Sequence, residues 1–329
     1  MIDQYLRPEL KGRDFISTQD WSTSELETLF SLASELKRMR KEGTRTPLLT
    51  EKTLYMIFFD SSTRTRNSFE TGITQLGGHG IYLSPDRMQI SHGENAKDTA
   101  NVLSRYGEGI AIRHCTFGEG NAYLQEVAKH ATVPLISMQC DVYHPCQILA
   151  DYLTIRERFG ETRGLKLGVA WTSAPNYVRP ISVPQSLILM MPRFGMDVTL
   201  AYPPEFRLMP DIEERARKNA EEAGARFEIT HRFEGAFEDS DVVVPKSWGP
   251  LIHTQDHGEG VRLIEAYPEW RCDAERMALG KENMIYMHPL PADRGREVTD
   301  EVIDGPQSVV YQEAENRLHV QKALMALVM

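Results

Sequence analysis

Thr53-Leu54-Tyr55-Met56-Ile57-Phe58-Phe59 runs directly into Asp60-Ser61-Ser62-Thr63-Arg64-Thr65-Arg66, after which Phe69, Ile73 and Leu76 recur at helical spacing. An apolar run without polar alternation predicts a strand buried on both faces, and the recurring apolar positions predict an amphipathic helix over Arg66–Leu76. A buried strand joined to a helix by a short loop is the repeating unit of a parallel sheet, so the stretch points to an α/β chain. The loop brings hydroxyls and two arginines to the place where a helix begins. Orphan backbone N–H groups and the helix dipole both favour an anion there, and guanidinium forks match phosphate oxygens. In isolation such residues read as a solvated helix cap; directly after a buried strand they read as a ligand loop.

The same unit repeats outward. Further strands are expected at Ile81–Ser84, Gly109–Ile112 and Val133–Met138, then at Lys166–Trp171, Asp197–Tyr202, Arg226–Thr230, Asp241–Pro245 and Met284–Met287. Helices are expected between them at Asp98–Tyr106, Gly120–His130, Gln147–Phe159, Gln185–Phe194, Asp211–Ala223 and Glu313–Met329. The pattern predicts two doubly wound, Rossmann-like parallel-sheet domains, residues 1–145 and 146–311; the last helix, 312–329, is expected to pack back on the first. The loop Thr172–Pro184 carries Pro175, Pro180 and Pro184 where a short strand-to-helix turn is usual.

The chain has 329 residues with 37 Lys and Arg against 47 Asp and Glu, a net charge of −10. A chain this acidic is a poor match for nucleic acid or an anionic membrane, so an anionic substrate needs a local cluster of donors. Cys115, Cys140, Cys146 and Cys272 form no CxxC or zinc-like spacing and read as reduced thiols. Residues 1–13 are rich in charge with no apolar leader core, and no apolar run is long enough for a bilayer, so a cytoplasmic protein is expected.

Two more segments carry polar chemistry. In His144-Pro145-Cys146-Gln147-Ile148-Leu149-Ala150-Asp151, His144 and Gln147 lie three apart around a helix start and can face one ligand, although a lone histidine there is more commonly a cap or core residue. Met287-His288-Pro289-Leu290-Pro291-Ala292-Asp293-Arg294-Gly295 follows a strand, and its prolines impose an irregular turn. No GxGxxG follows the first strand of either half, and no Walker, HExxH or nucleophile-elbow motif is present, which argues against nucleotide, zinc-protease and serine-hydrolase chemistry.

Taken together these segments resemble the aspartate/ornithine carbamoyltransferase family. Ser62-Thr63-Arg64-Thr65-Arg66 is similar to its carbamoyl phosphate loop, His144-Pro145-x-Gln147 to its H-P-x-Q, His288-Pro289-Leu290-Pro291 to its H-x-L-P and Glu315-Asn316-Arg317 to its E-N-R. Gln89-Ile90-Ser91-His92, followed by Asp98 to Leu103, resembles the segment that ornithine enzymes lend to a neighbouring subunit. The resemblance implies a carbamoyl phosphate domain (1–145), an acceptor domain (146–311) and a homotrimer, with carbamoyl phosphate and an amino-acid acceptor as partners and no cofactor or metal. It implies that Ser62, Thr63, Arg64 and Thr65 hold the phosphate, and that Arg113 bridges phosphate and carbonyl oxygen. His144 would donate to that oxygen; Gln147 and the Leu290 carbonyl would hold the carbamoyl amide. Gln89 and His92 would enter from the adjacent subunit, and Arg317 would close the phosphate side. Arg113, His144 and Thr65 are donors suited to an oxygen that gains charge during attack by a neutral amine, so they are the candidate catalytic residues.

The acceptor side departs from ornithine enzymes. Where those carry an acidic residue and S-M-G, this chain reads Pro245-Lys246-Ser247-Trp248-Gly249, and Pro289 replaces a cysteine. The Lys246-Ser247-Trp248 run resembles the N-acetylornithine branch. The loop Trp171–Gln185 resembles the knotted branch, implying a proline-rich loop knot in the second domain. Lys246, Ser247, Trp248, Asn176 and Pro289 are the candidate acceptor residues; a solvated surface lysine is the plain alternative for Lys246. A catalytically silent carbamoyl phosphate binder is the alternative function, which the intact loop with His144 and Gln147 disfavours.

Overall fold

The computed structural model describes residues 2–174 and 179–329 and divides into two compact units, residues 1–150 with 314–329, and residues 151–313. In the first, α1 (Thr23–Lys41) precedes β1 (Thr53–Phe58), α2 (Thr63–Gln75), β2 (His79–Leu83), α3 (Ala96–Leu103), β3 (Gly109–His114), α4 (Gly120–His130) and β4 (Leu135–Cys140), and the chain leaves through α5 (Pro145–Phe159). The four strands are parallel in the order β2-β1-β3-β4. The order reverses between β1 and β3, so the loops after these two strands open at the switch point where ligands of open α/β sheets bind.

The second unit runs β5 (Lys166–Trp171), α6 (Ser182–Met190), β6 (Asp197–Ala201), α7 (Pro210–Ala223), β7 (Phe227–Thr230), β8 (Val242–Lys246), α8 (His257–Glu265), α9 (Ala274–Met277), β9 (Ile285–Tyr286) and α10 (Asp300–Ile303). Its parallel sheet has the order β7-β6-β5-β8-β9, with the switch between β5 and β8. The last helix, α11 (Val310–Val328), returns to the first unit, where Leu318, Lys322 and Met325 crowd Gly72 of α2.

Both cores are built from the strands. Leu54, Met56 and Ile57 of β1 and Ile110, Ala111 and Ile112 of β3 are buried, as are Leu167, Val169, Ala170 and Trp171 of β5 and Val242, Val243 and Val244 of β8. This is the continuous burial expected of parallel strands covered on both faces. α6 begins earlier than the spacing predicts and stops at Met190. Pro184 sits in its first turn, where a missing N–H costs nothing, and the Pro192 stretch continues only as a 3-10 turn through Phe194. The proline loop contains residues 175–178, so the expected knot and Asn176 fall on a segment that includes positions outside the described residues. Among the described residues no helix is long and apolar enough to cross a membrane.

Candidate functional site

The predicted ligand loop forms the N-terminus of α2. Ser62 is its cap, its Oγ accepting the Thr65 N–H at 3.2 Å. Thr65 is buried, and its Oγ1 accepts from Arg317 Nη2 at 2.7 Å; the same guanidinium gives Nη1 to Gln147 Oε1 at 2.7 Å. One buried arginine on α11 thus ties Thr65 at the start of α2 to the glutamine on α5, three residues that are far apart in sequence. Thr63 is exposed and Arg64 half-buried on the first turn of α2. Arg66, counted in the loop by sequence, turns aside: its Nε bonds Glu70 at 3.0 Å and its guanidinium lies 3.8 Å from the Tyr82 ring centroid.

Arg113 stands at the end of β3, paired in register with Phe58 at the end of β1, so the sheet itself delivers it beside the loop. Its Nη1 donates to Gln139 Oε1, while its buried Nε has no hydrogen-bond partner among the described residues. A bulge at Ile112/Arg113 shifts the pairing so that Arg113 faces Gln139. His144 is buried, and its carbonyl opens α5 by accepting from the N–H groups of Gln147 and Ile148 at 3.1 and 3.3 Å. The histidine is therefore a backbone cap as well as a candidate donor. Gln89 and His92 lie on an exposed 3-10 turn, residues 89–92, where Ser91 Oγ is 3.3 Å from His92 Nδ1; among the described residues no hydrogen bond joins this turn to Thr65, Arg113 or Gln147.

Two carboxylates that the sequence reading passed over brace the loops. Asp60 accepts the Cys115 N–H at 2.7 Å, linking the loops after β1 and β3, and Asp141 accepts from Gly118 and Asn121 at 2.9 and 2.7 Å. An aspartate within two residues of the end of a buried strand is the signal that could have marked both. All four cysteines are free. Burial pushes the Cys140 and Cys146 thiols up to about 12 and the Cys115 and Cys272 thiols higher still, so none is a poised nucleophile.

In the second unit Lys246 ends β8 and is 9% exposed, with Nζ 3.2 Å from the Ser247 carbonyl. It is not the solvated surface lysine that was its plain alternative. Ser247 is buried and its N–H donates to Glu297 at 2.7 Å. Trp248 is buried, its indole N–H bonded to the Phe206 carbonyl at 2.7 Å and its own carbonyl accepting from Trp171 Nε1 at 2.8 Å. Pro289 is buried and Leu290 half-buried, with Leu290 in the left-handed region at φ 44°. The sequence reading missed Glu297 and Arg179. Arg179 Nη1 bonds Glu297 at 2.8 Å, and its Nη2 bonds Asp293 at 2.5 Å. Burial works against a charge on Glu297, but His288, Lys246 and Arg179 outweigh it and hold the carboxyl well below the usual range.

Known proteins match this arrangement along the chain. The carbamoyl-P binding domain of aspartate/ornithine carbamoyltransferases matches residues 13–157, and the Asp/Orn binding domain of the same enzymes matches residues 180–328. The chain belongs to the aspartate/ornithine carbamoyltransferase family. It is 43% identical to the ornithine carbamoyltransferase of Carboxydothermus hydrogenoformans, over 97% of this chain and 98% of that one. It is similar in structure to the ornithine carbamoyltransferase of Pyrococcus furiosus, with a TM-score of 0.88 and 38% identity over 97% and 98% of the two chains. An acetylornithine transcarbamylase complexed with acetylcitrulline superposes with a TM-score of 0.89 at 34% identity, over 96% and 99%. Both kinds of carbamoyltransferase thus share the fold across nearly the full length of this chain.

Proposed function

We propose that the protein transfers the carbamoyl group of carbamoyl phosphate to the side-chain amino group of an ornithine-type acceptor, releasing phosphate. The observation that carries the reading is the bridge from Arg317 to Thr65 and Gln147 at the N-terminus of α2. It gathers a cation, a hydroxyl and an amide around an anion-binding helix end. In this reading residues 1–145 hold carbamoyl phosphate and residues 146–311 serve the acceptor.

Ser62, Thr63, Arg64 and Thr65 take the phosphate oxygens, with Arg317 closing that side. The neutral amine attacks the carbonyl carbon, a C–N bond forms, and charge collects on the carbonyl oxygen. Arg113, His144 and Thr65 donate to it, Gln147 and the Leu290 carbonyl orient the carbamoyl amide, and the C–O bond to phosphate breaks. The departing phosphate takes the amine's proton. Alignment of two bound reactants and donors aimed at the developing oxyanion supply the rate. A silent carbamoyl phosphate binder would not need this set of oxyanion donors. The reading includes a cytoplasmic homotrimer in which Gln89 and His92 serve a neighbouring subunit.

Among ornithine-type acceptors the reading favours one whose α-nitrogen is acylated. The residue ending β8 is a lysine, which offers no acceptor to an α-ammonium, and an unpaired charge in a partly desolvated site is strongly rejected. Ser247, Trp248, Pro289 and Asn176 complete the proposed acceptor set. The test compares kcat/KM for L-ornithine, N-acetyl-L-ornithine, L-aspartate and 2,3-diaminopropionate with carbamoyl phosphate. N-acetyl-L-ornithine should exceed L-ornithine by at least about tenfold, the loss expected for one unpaired charge. A clear preference for L-ornithine removes Lys246 from the acceptor set.

A further inference from the structure

Glu297 is fully buried and collects donors from separate stretches of the second unit. Its Oε1 accepts the Ser247 N–H at 2.7 Å and lies 3.3 Å from His288 Nε2. Its Oε2 accepts from Arg179 Nη1 and from the Asp293 N–H, each at 2.8 Å. The loops after β5, β8 and β9 therefore meet at one carboxylate.

His288 is the second half of the arrangement. It too is fully buried, and its Nδ1 lies 3.0 Å from the N–H of Leu290, which can only donate. A neutral imidazole carries one proton. With Nδ1 accepting, that proton resides on Nε2, and Nε2–H donates to Glu297. Burial, reinforced by the nearby Lys246 and Arg179, disfavours the imidazolium and keeps the ring neutral despite the carboxylate. The chain of contacts ends on Leu290, which holds a left-handed conformation that a branched side chain adopts only where its surroundings enforce it.

We infer that Glu297 is a positioning residue: by fixing the His288 tautomer it sets the Leu290 backbone, and through the Ser247 N–H it sets the loop that follows Lys246. It touches no substrate and acts through those two groups. The inference deepens the proposed carbamoyl transfer and, for its kinetic consequence, rests on that reading. A buried ion cluster that merely holds the fold together would change stability while leaving turnover of the folded protein unchanged.

The test uses the full chain labelled with 15N-histidine, the His288 signals being assigned by their loss in His288→Gln. Wild-type protein should show Nε2–H and an unprotonated Nδ1 at neutral pH; an Nδ1–H tautomer or an imidazolium overturns the inference. Because this arm needs no turnover, it stands even if no amine proves to be a substrate, which would instead sink carbamoyl transfer. The kinetic arm uses Glu297→Gln, checked for folding by circular dichroism. With the phosphate loop untouched and only the Leu290 contact to the carbamoyl amide disturbed, carbamoyl phosphate affinity by calorimetry should fall by no more than about tenfold while kcat falls about 10²-fold, as misplacement of reacting groups costs. Folded Glu297→Gln with kcat within about twofold of wild type, or with loss confined to carbamoyl phosphate affinity, overturns the positioning role. If Glu297→Gln does not fold, Glu297→Asp takes its place: it keeps the charge and shortens the reach, so the same loss of kcat is expected and unchanged kcat overturns the role.

Discussion

His144 and His288 are both buried, and the proposed mechanism gives them different parts. His144 caps α5 through its carbonyl, and the proposed mechanism assigns its ring to the carbonyl oxygen of carbamoyl phosphate. If that contact strengthens only as the oxygen gains charge, His144→Ala should lower kcat by about 10²–10³ with a much smaller change in carbamoyl phosphate affinity. Weakened binding at unchanged kcat would make it a ground-state ligand. His288 has the opposite character, locked neutral between the Leu290 N–H and Glu297. Its folded pKa lies below the ordinary 6.5, chiefly through burial, so the unfolded chain binds a proton more readily. The stability linked to it is full above that value and is lost as pH falls through the folded one. Glu297, held well below its ordinary 4.5, adds a further loss at lower pH. His288→Gln should therefore show a shallower loss of stability than wild type between about pH 7 and 5 in urea titrations. Parallel profiles would mean that the ring is not buried neutral.

The strand pattern was legible where apolar runs were continuous. β5 and α4 fall where the spacing puts them, at Lys166–Trp171 and Gly120–His130. β4 starts at Leu135 and not at Val133, because Pro134 has no N–H for the ladder and contributes only its carbonyl, to Ile110. The longest omission is α1, although Ser22 and Glu25 form a reciprocal capping box ahead of buried Leu26, Leu29, Phe30, Ala33 and Leu36. That signal was local and present. The Glu297 cluster was not legible, since it joins Arg179, Ser247, His288 and Asp293 to one carboxylate, residues that no sequence spacing relates. Packing against strands was equally hidden: a Cβ on Gly168 of β5 would sit 1.7 Å from the Ala236 carbonyl oxygen. Gly168→Ala should cost about 3 kcal/mol or more, because backbone must move. A shift in unfolding free energy below about 1 kcal/mol would show that the turn at Phe233–Ala236 yields easily.

One unit carries the Ser62–Arg66 loop proposed to hold phosphate and the exposed Gln89–His92 turn, and the other carries a buried loop cluster organised by the Glu297 carboxylate. If that turn serves a neighbouring subunit, mixing Gln89→Ala with Arg64→Ala protein should restore activity as hybrid oligomers form, since some shared sites are then intact. A monomer by light scattering, or no rescue despite proven exchange of subunits, would contradict shared sites. Carbamoyl transfer itself is tested most directly by following 14C-carbamoyl phosphate with wild-type protein and ornithine-type amines. The account predicts acid-stable label in a ureido product and one phosphate released for each ureido group formed, with both lost in Arg113→Ala. Tight binding of carbamoyl phosphate with no ureido product from any amine would contradict it.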